Sequence, residues 1–162
     1  MKILYLSYDG MTDPLGQSQV LPYLLELSKL GHQITLLSTE KTANFQLREA
    51  TIRGLLEEHK KQNPEAVIDW QYVQYTKTPP ILSTLKDVRT LRKKAYQLHH
   101  QNQFDIVHCR SYVTSLVGLR MKKKFGVRFI LDMRGFWADE RVDGGLWNLK
   151  NPLFQLVYNY FK

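Results

Sequence analysis

A chain of 162 residues is the right length for one domain with its own core and short for two. Its 43% hydrophobic and 23% charged content is that of an ordinary folded protein, which excludes a disordered or low-complexity chain. The net charge of +8 points to an anionic partner (nucleic acid, a membrane surface or a phosphate-bearing substrate), while the lone cysteine, Cys109, excludes an internal disulfide and a cysteine-built metal cluster.

In chain order, Lys2 to Ser7 (KILYLS) is a near-continuous apolar run, as in a central strand buried on both faces. It is too short for the core of a signal peptide, and no apolar run anywhere has the length of a membrane span. Tyr8 to Gly16 carries Gly10, Asp13, Pro14 and Gly16 and predicts a loop. Val20, Leu21, Leu24 and Leu27 then recur at helical spacing, so a helix is expected over about Gln17 to Leu30, stopped by Gly31. Pro22 must fall in the first turn of that helix or bend it, which favours a start near Ser18.

Gln33 to Ser38 is the second strand, and Glu40 to Gln62 a polar helix with Phe45, Ile52, Leu55 and Leu56 turned inward. Val67 to Tyr75 alternates and is rich in β-branched and aromatic residues, which makes it the third strand. After a loop at Lys77 to Pro80, Leu82, Leu85, Val88, Leu91, Ala95 and Leu98 trace the core stripe of a long helix. Its other faces carry Lys86, Arg89, Arg92, Lys93 and Lys94. Phe104 to His108 is the fourth strand, Ser111 is placed to cap a helix over Tyr112 to Lys124, and Val127 to Asp132 is the fifth strand. Leu153, Phe154, Val157, Tyr158 and Phe161 predict that the tail, Leu146 to Lys162, is an amphipathic helix running to the last residue. It has no stop signal, and the expectation is that the chain was cut from a larger protein.

Strand and helix alternate five times. The pattern predicts an α/β fold: a doubly wound, mostly parallel sheet with helices on both faces, Rossmann-like, in a single domain spanning residues 1–162. Ligands of such sheets bind beyond the carboxyl ends of the strands. Gly16 and Gln17, at the start of the first helix, present backbone N–H groups suited to phosphate, although the spacing is neither GxGxxG nor a P-loop and an ordinary turn is the plainer alternative. His108 and Arg110 end the fourth strand: a side chain tunable near neutral pH, and a guanidinium able to clamp a carboxylate or phosphate. The competing reading there is a structural histidine.

The richest stretch is Phe129 to Gly145 (FILDMRGFWADERVDGG), where an apolar strand empties into acids, arginines and aromatics. Gly135, beside Arg134, lets the backbone approach a ligand closely. Asp139 and Glu140 are suited to orient hydroxyls or to act as acid and base. Phe136 and Trp137 argue against a plain salt-bridged loop, since aromatic pairs among charges mark binding surfaces. His108, Arg134 and Asp139 are therefore the candidate catalytic residues, and Gly16, Gln17, Arg110, Gly135, Trp137 and Glu140 the candidate substrate-binding residues. No metal site and no cofactor are expected.

The stretches MKILYLSYDG, DPLGQSQVLPYLLELSKLGHQITLLS, DIVHCRSY and LDMRGFWADERVDGG together resemble the N-terminal domain of the family 4 glycosyltransferases, which have the GT-B fold; RGFWADERVDGG resembles one subgroup. The resemblance implies two Rossmann-like domains facing across a cleft, with the acceptor on the N-terminal one. A C-terminal domain with a Glu-x7-Glu signature would hold the nucleotide-sugar donor. Transfer would retain the anomeric configuration and need no metal. Gly16 would lie against the donor phosphates, and His108 and Arg110 would line the cleft. Arg134 stands where many members have a histidine, so that histidine's role is not carried over to it. The expected function is acceptor binding in a transferase acting on a glycan or lipid-linked acceptor, the chain alone being inactive. The expected location is cytoplasmic, with the basic helix able to sit on the inner face of a membrane.

Two other readings compete. A basic α/β module that binds nucleic acid without catalysis would account for the charge, but carboxylates packed among arginines repel a phosphate backbone, so no nucleic acid is expected as partner. A nucleotide-dependent oxidoreductase or epimerase lacks its glycine fingerprint.

Overall fold

The computed structural model describes residues 1–79 and 81–161, except for the side chain of Trp137. The strands β1 (Lys2–Ser7), β2 (Gln33–Glu40), β3 (Val67–Gln74), β4 (Ile106–Arg110) and β5 (Arg128–Asp132) make one all-parallel sheet in the order β3-β2-β1-β4-β5. The chain winds outward from β1 to β3, crosses back, and winds outward again through β4 and β5. Strand order therefore reverses between β1 and β4, the place where sheets of this kind take their ligands, at the carboxyl edge.

Alternate residues of the central strands feed two separate cores. Ile3, Tyr5, Ile34 and Leu36 pack beneath α1 (Leu21–Lys29) and α2 (Thr42–Gln62), with Leu21, Leu24 and Ile52 from the helices. Leu4, Leu6 and Leu37 pack against α3 (Leu82–Asn102) and α4 (Ser111–Phe125), which contribute Val88, Leu91, Ala95, Val113, Val117 and Met121. Each fully buried aliphatic side chain contributes about 1.5–3 kcal/mol. Two short helices follow β5: α5 (Trp137–Asp143) and α6 (Pro152–Phe161).

Several local expectations are corrected. The first helix does not begin at Ser18. A turn of π-helix, Gly16–Val20, precedes α1, and the Leu21 N–H reaches back to the Gly16 carbonyl. Pro22, without an N–H, then sits in the first turn of α1, where none is needed. β2 runs two residues further than expected, because Thr39 and Glu40 still pair with Val73 and Gln74. β4 starts at Ile106 and runs on to Arg110, straight into α4. Ser111 consequently does not cap that helix; it makes the corner itself, at φ 70°.

Leu82 and Leu85 are 62% and 57% exposed, not part of the core. The inward positions of the first turns of α3 belong to Ser83 and Asp87, because the Asp87 carboxylate accepts hydrogen bonds from Tyr8 Oη and the Thr76 N–H, each at 3.0 Å. Leu55 of α2 also faces outward. The acidic segment after β5, for which the sequence predicts no element, is helical. The tail helix starts later than Leu146, at Pro152, where proline suits a first turn and Asn151 Oδ1 accepts the Leu153 N–H at 2.9 Å. Pro80 and Lys162, included in the expected loop and tail helix, lie outside the described residues.

Candidate functional site

The loop from β1 to α1 is shaped from beneath by one buried carboxylate. Glu40, the last residue of β2, is 0% exposed. Its Oε1 accepts the Met11 N–H at 2.6 Å and Ser38 Oγ at 2.5 Å; its Oε2 accepts the Thr12 N–H at 3.2 Å and Thr12 Oγ1 at 2.5 Å. The loop folds over the carboxylate because Gly10 has no Cβ, which would come within 2.6 Å of Glu40 Oε2. Gly16 closes the loop for the same reason: a Cβ there would lie 2.1 Å from the Gly10 carbonyl oxygen. Asp13 ties the outer side of the loop to α2 through Lys41 Nζ at 2.8 Å and through Asn44. Gln17 turns inward to donate to the Thr12 carbonyl at 3.1 Å.

Beside this loop, at the ends of β4 and β5, two arginines converge. Arg110 is only 4% exposed. Its Nε lies 3.3 Å from Asp9 Oδ2, and its Nη2 donates to Gln19 Oε1 at 2.7 Å. Arg134, on the segment that leaves β5, donates from its Nη2 to the same Gln19 oxygen at 2.9 Å; its Nη1 is 3.8 Å from Asp132 Oδ2. One neutral amide oxygen thus sits between two cations, and the carboxylates stand farther off.

Behind Arg110, one strand pleat back, His108 packs between tyrosines, its ring centroid 4.6 Å from that of Tyr5 and 6.1 Å from that of Tyr23. Burial holds its pKa below the usual histidine value, with Asp132 opposing the shift, so the ring is neutral near pH 7. Its Nε2 is buried with no hydrogen-bond partner among the described residues. Burial pushes the Tyr5 hydroxyl up to about 12, partly offset by Arg110. Cys109 points to the opposite face, against Gly118, and burial pushes its thiol up to about 12 as well.

Past Arg134 the chain turns at Gly135, whose φ of 156° and missing Cβ leave room for the Glu140 carboxylate. Asp139 accepts the Tyr158 hydroxyl at 2.7 Å, which docks α6 onto α5. Phe136 is 67% exposed at this edge, while the side chain of Trp137 lies outside the described residues. Among the described residues no group of three His, Cys, Asp or Glu side chains is placed to hold a metal ion.

The structure therefore brings Arg110 and Arg134 together on Gln19 Oε1, sets Gly16 and Gln17 at the start of the neighbouring π-helical turn, and places His108 beneath them. Asp139 and Glu140 belong to α5, where their described contacts are with α6 and Gly135. Two residues that do much of the building were not among the candidates. Glu40 reads as a helix residue in the sequence and Gln19 as one more polar position in a helix. The signal for Gln19 was its place two residues after Gln17, in the turn that leads from the loop into α1.

A family model described as Glycosyltransferase Family 4 matches residues 17–162. Among solved structures, the C-terminal domain (residues 78–226) of PF1911 hydrogenase from Pyrococcus furiosus is similar, at 20% identity and a TM-score of 0.55, over 82% of this chain and 90% of that one. The glycotransferase of kitacinnamycin is similar at 14% identity and a TM-score of 0.57, over 97% of this chain and 37% of that one. CalG4, the calicheamicin glycosyltransferase, is similar at 14% identity and a TM-score of 0.53, over 96% of this chain and 40% of that one. At these identities the likeness is one of fold, and the chain spans well under half the length of both transferases. No curated protein matches the chain.

Proposed function

The chain belongs to the family 4 glycosyltransferases, and from that premise we propose that its 162 residues form the acceptor-side, N-terminal half of a retaining, metal-independent enzyme. That enzyme moves a sugar from a nucleotide-sugar donor, held by a second domain, onto a glycan or lipid-linked acceptor.

The observation that best supports this reading is the polar rim at the β1–β4 reversal, where Arg110, Arg134 and Gln19 meet beside a loop held rigid by Glu40. A positive rim opposite the donor suits transfer, because charge builds on the departing phosphate as the glycosidic bond breaks. In this reading Gly16 and Gln17 face the donor phosphates, while Arg110, Gly135, Trp137 and Glu140 hold the acceptor. His108, Arg134 and Asp139 lie nearest the reacting groups. Nucleic acid is not among the proposed partners: Arg110 and Arg134 make one compact cationic spot, not a track that follows a phosphate backbone.

We further propose a cytoplasmic protein that rests on the inner face of a membrane. α3 supports this, with Leu82 and Leu85 exposed beside the basic Lys86 and Arg89. No helix of the described residues is long and apolar enough to cross a membrane.

The test compares this chain alone with the same chain joined to a donor-binding domain, using nucleotide sugars and lipid-linked or glycan acceptors. The joined protein is expected to transfer sugar with retention in the presence of a chelator, and the chain alone neither to transfer sugar nor to hydrolyse donor. Turnover by the chain alone, or inversion at the anomeric carbon, would overturn the reading.

A further inference from the structure

Two guanidinium groups aimed at one neutral oxygen are an unfavourable arrangement unless something more negative takes that oxygen's place. The shortest described polar contact of each arginine is to Gln19 Oε1, at 2.7 Å for Arg110 and 2.9 Å for Arg134. The carboxylates beside them lie at 3.3 Å (Asp9) and 3.8 Å (Asp132), longer than the roughly 2.7–2.9 Å of a charge-assisted bond. The positive ends of both side chains therefore converge on a spot that a carboxylate does not fill.

The three residues differ in freedom. Arg110 is locked, its side chain 5% exposed, whereas the Arg134 side chain is 45% exposed and can close over a ligand. Gln19 is exposed on the π-helical turn, and its amide can swing out without disturbing the loop. A planar fork with several N–H donors on each arginine suits an oxyanion that presents several oxygens at once, and a phosphoryl group does so. Asp9 stands nearest Arg110 Nε and Asp132 nearest Arg134 Nη1, whereas the atoms that meet at Gln19 are the two Nη2 groups.

We propose that the Arg110–Arg134 pair is a phosphate subsite, that Gln19 Oε1 holds the place of a phosphoryl oxygen while the site is empty, and that the acceptor carries a phosphate. The identity of the acceptor rests on the glycosyltransferase reading above; the existence of the phosphate subsite does not.

The test is an NMR titration of the ¹⁵N-labelled chain with inorganic phosphate, pyrophosphate, glucose 1-phosphate and UDP, following the arginine Nε–H and glutamine side-chain amide signals. Inorganic phosphate is expected to saturate and to shift the Gln19 amide as it is displaced. Arg134→Gln should weaken binding about tenfold, and Lys93→Gln, on the exposed face of α3, should leave it unchanged. Gln19→Ala should tighten binding, because it removes the group that phosphate must displace. Glucose 1-phosphate should bind at least as well as inorganic phosphate, and UDP no better than pyrophosphate.

Equal weakening by Arg134→Gln and Lys93→Gln would reduce the effect to surface charge and sink the subsite. UDP binding tighter than pyrophosphate would assign the site to the donor and overturn the phosphorylated acceptor. Because no sugar is transferred in the titration, it can fail while the transfer assay succeeds, and the reverse.

Discussion

Replacing Glu40 with glutamine is the sharpest probe of how the rim is built. The carboxylate is fully buried, and each of its oxygens receives one backbone N–H and one hydroxyl. A glutamine fits the same space, but one of its two ends is an NH₂ group. Whichever way the amide turns, that group points at the N–H of either Met11 or Thr12, both of them fully buried. A hydroxyl can rotate to accept from the amide; a backbone N–H cannot. One charge-assisted hydrogen bond is lost and one buried donor is left unpaired, which together cost about 2–4 kcal/mol. For a domain of this size that corresponds to a fall in melting temperature of about 5–15 °C. Hydrogen exchange should quicken at the amides of residues 10–13 more than in α3 or α4, because the loop loses its anchor while the opposite core keeps its packing. A Glu40→Gln chain that melts within a degree of its parent, or one that loses stability with no faster exchange in the loop, would refute the account of Glu40 as the anchor.

Gly16→Ala places a methyl group 2.1 Å from the Gly10 carbonyl oxygen, a backbone atom with nowhere to go, and should cost about 3 kcal/mol in urea unfolding. Gly54→Ala, where nothing lies within reach, should instead stabilise α2 by about 0.5–1 kcal/mol. Burial holds His59, His99 and His108 below the usual value of about 6.5. The unfolded chain therefore takes up protons that the folded chain does not, so stability rises with pH through the window just below about 6.5 and is lost as pH falls through it. Urea midpoints at pH 7.5 and 5.0 should show that loss, and a smaller loss in His108→Phe. Cys109, with its thiol pushed up to about 12 and its sulfur buried, should resist an aromatic disulfide reagent at pH 8 in the native chain and react at once in urea.

The sheet was legible because β1 is a near-continuous apolar run and β2 carries Ile34, Leu36 and Leu37, as central parallel strands buried on both faces do. Arg110 and Arg134 were legible by position, each just at or past the end of a strand. Glu40 was not. An acidic residue ahead of a polar helix reads as the start of that helix, and no local pattern reveals that Met11 and Thr12, 29 and 28 residues upstream, bring three donors to join Ser38 on it. The phase of α3 was hidden for a related reason. Leu82 and Leu85 fit the helical repeat that Val88 and Leu91 continue, yet Asp87 turns inward to hold Tyr8 and Thr76 and rotates the leucines into solvent. In both cases a buried carboxylate overrode the apolar pattern, because leaving a buried acid unpaired costs more than exposing a leucine.

Glu40 also bears on which ligand this sheet can take. In dinucleotide-binding sheets an acidic residue about 20 positions past the glycine fingerprint hydrogen-bonds the ribose hydroxyls. Here the acid at the end of β2 cannot do so, because a carboxylate offers roughly four acceptor positions, of which the loop fills three and Ser38 the fourth. The residue that would read a ribose is spent on shaping the β1–α1 loop, and that loop approaches so closely that a Cβ on Gly10 would strike the carboxylate. A nucleotide ribose therefore cannot be gripped by the acid at the end of β2, and the arginine pair, Arg110 and Arg134, lies on the other side of β1. That asymmetry follows from the fold alone. It directs the search for a substrate to the β4–β5 side of the crevice, and it would do so even if the nucleotide sugar proved to be held elsewhere.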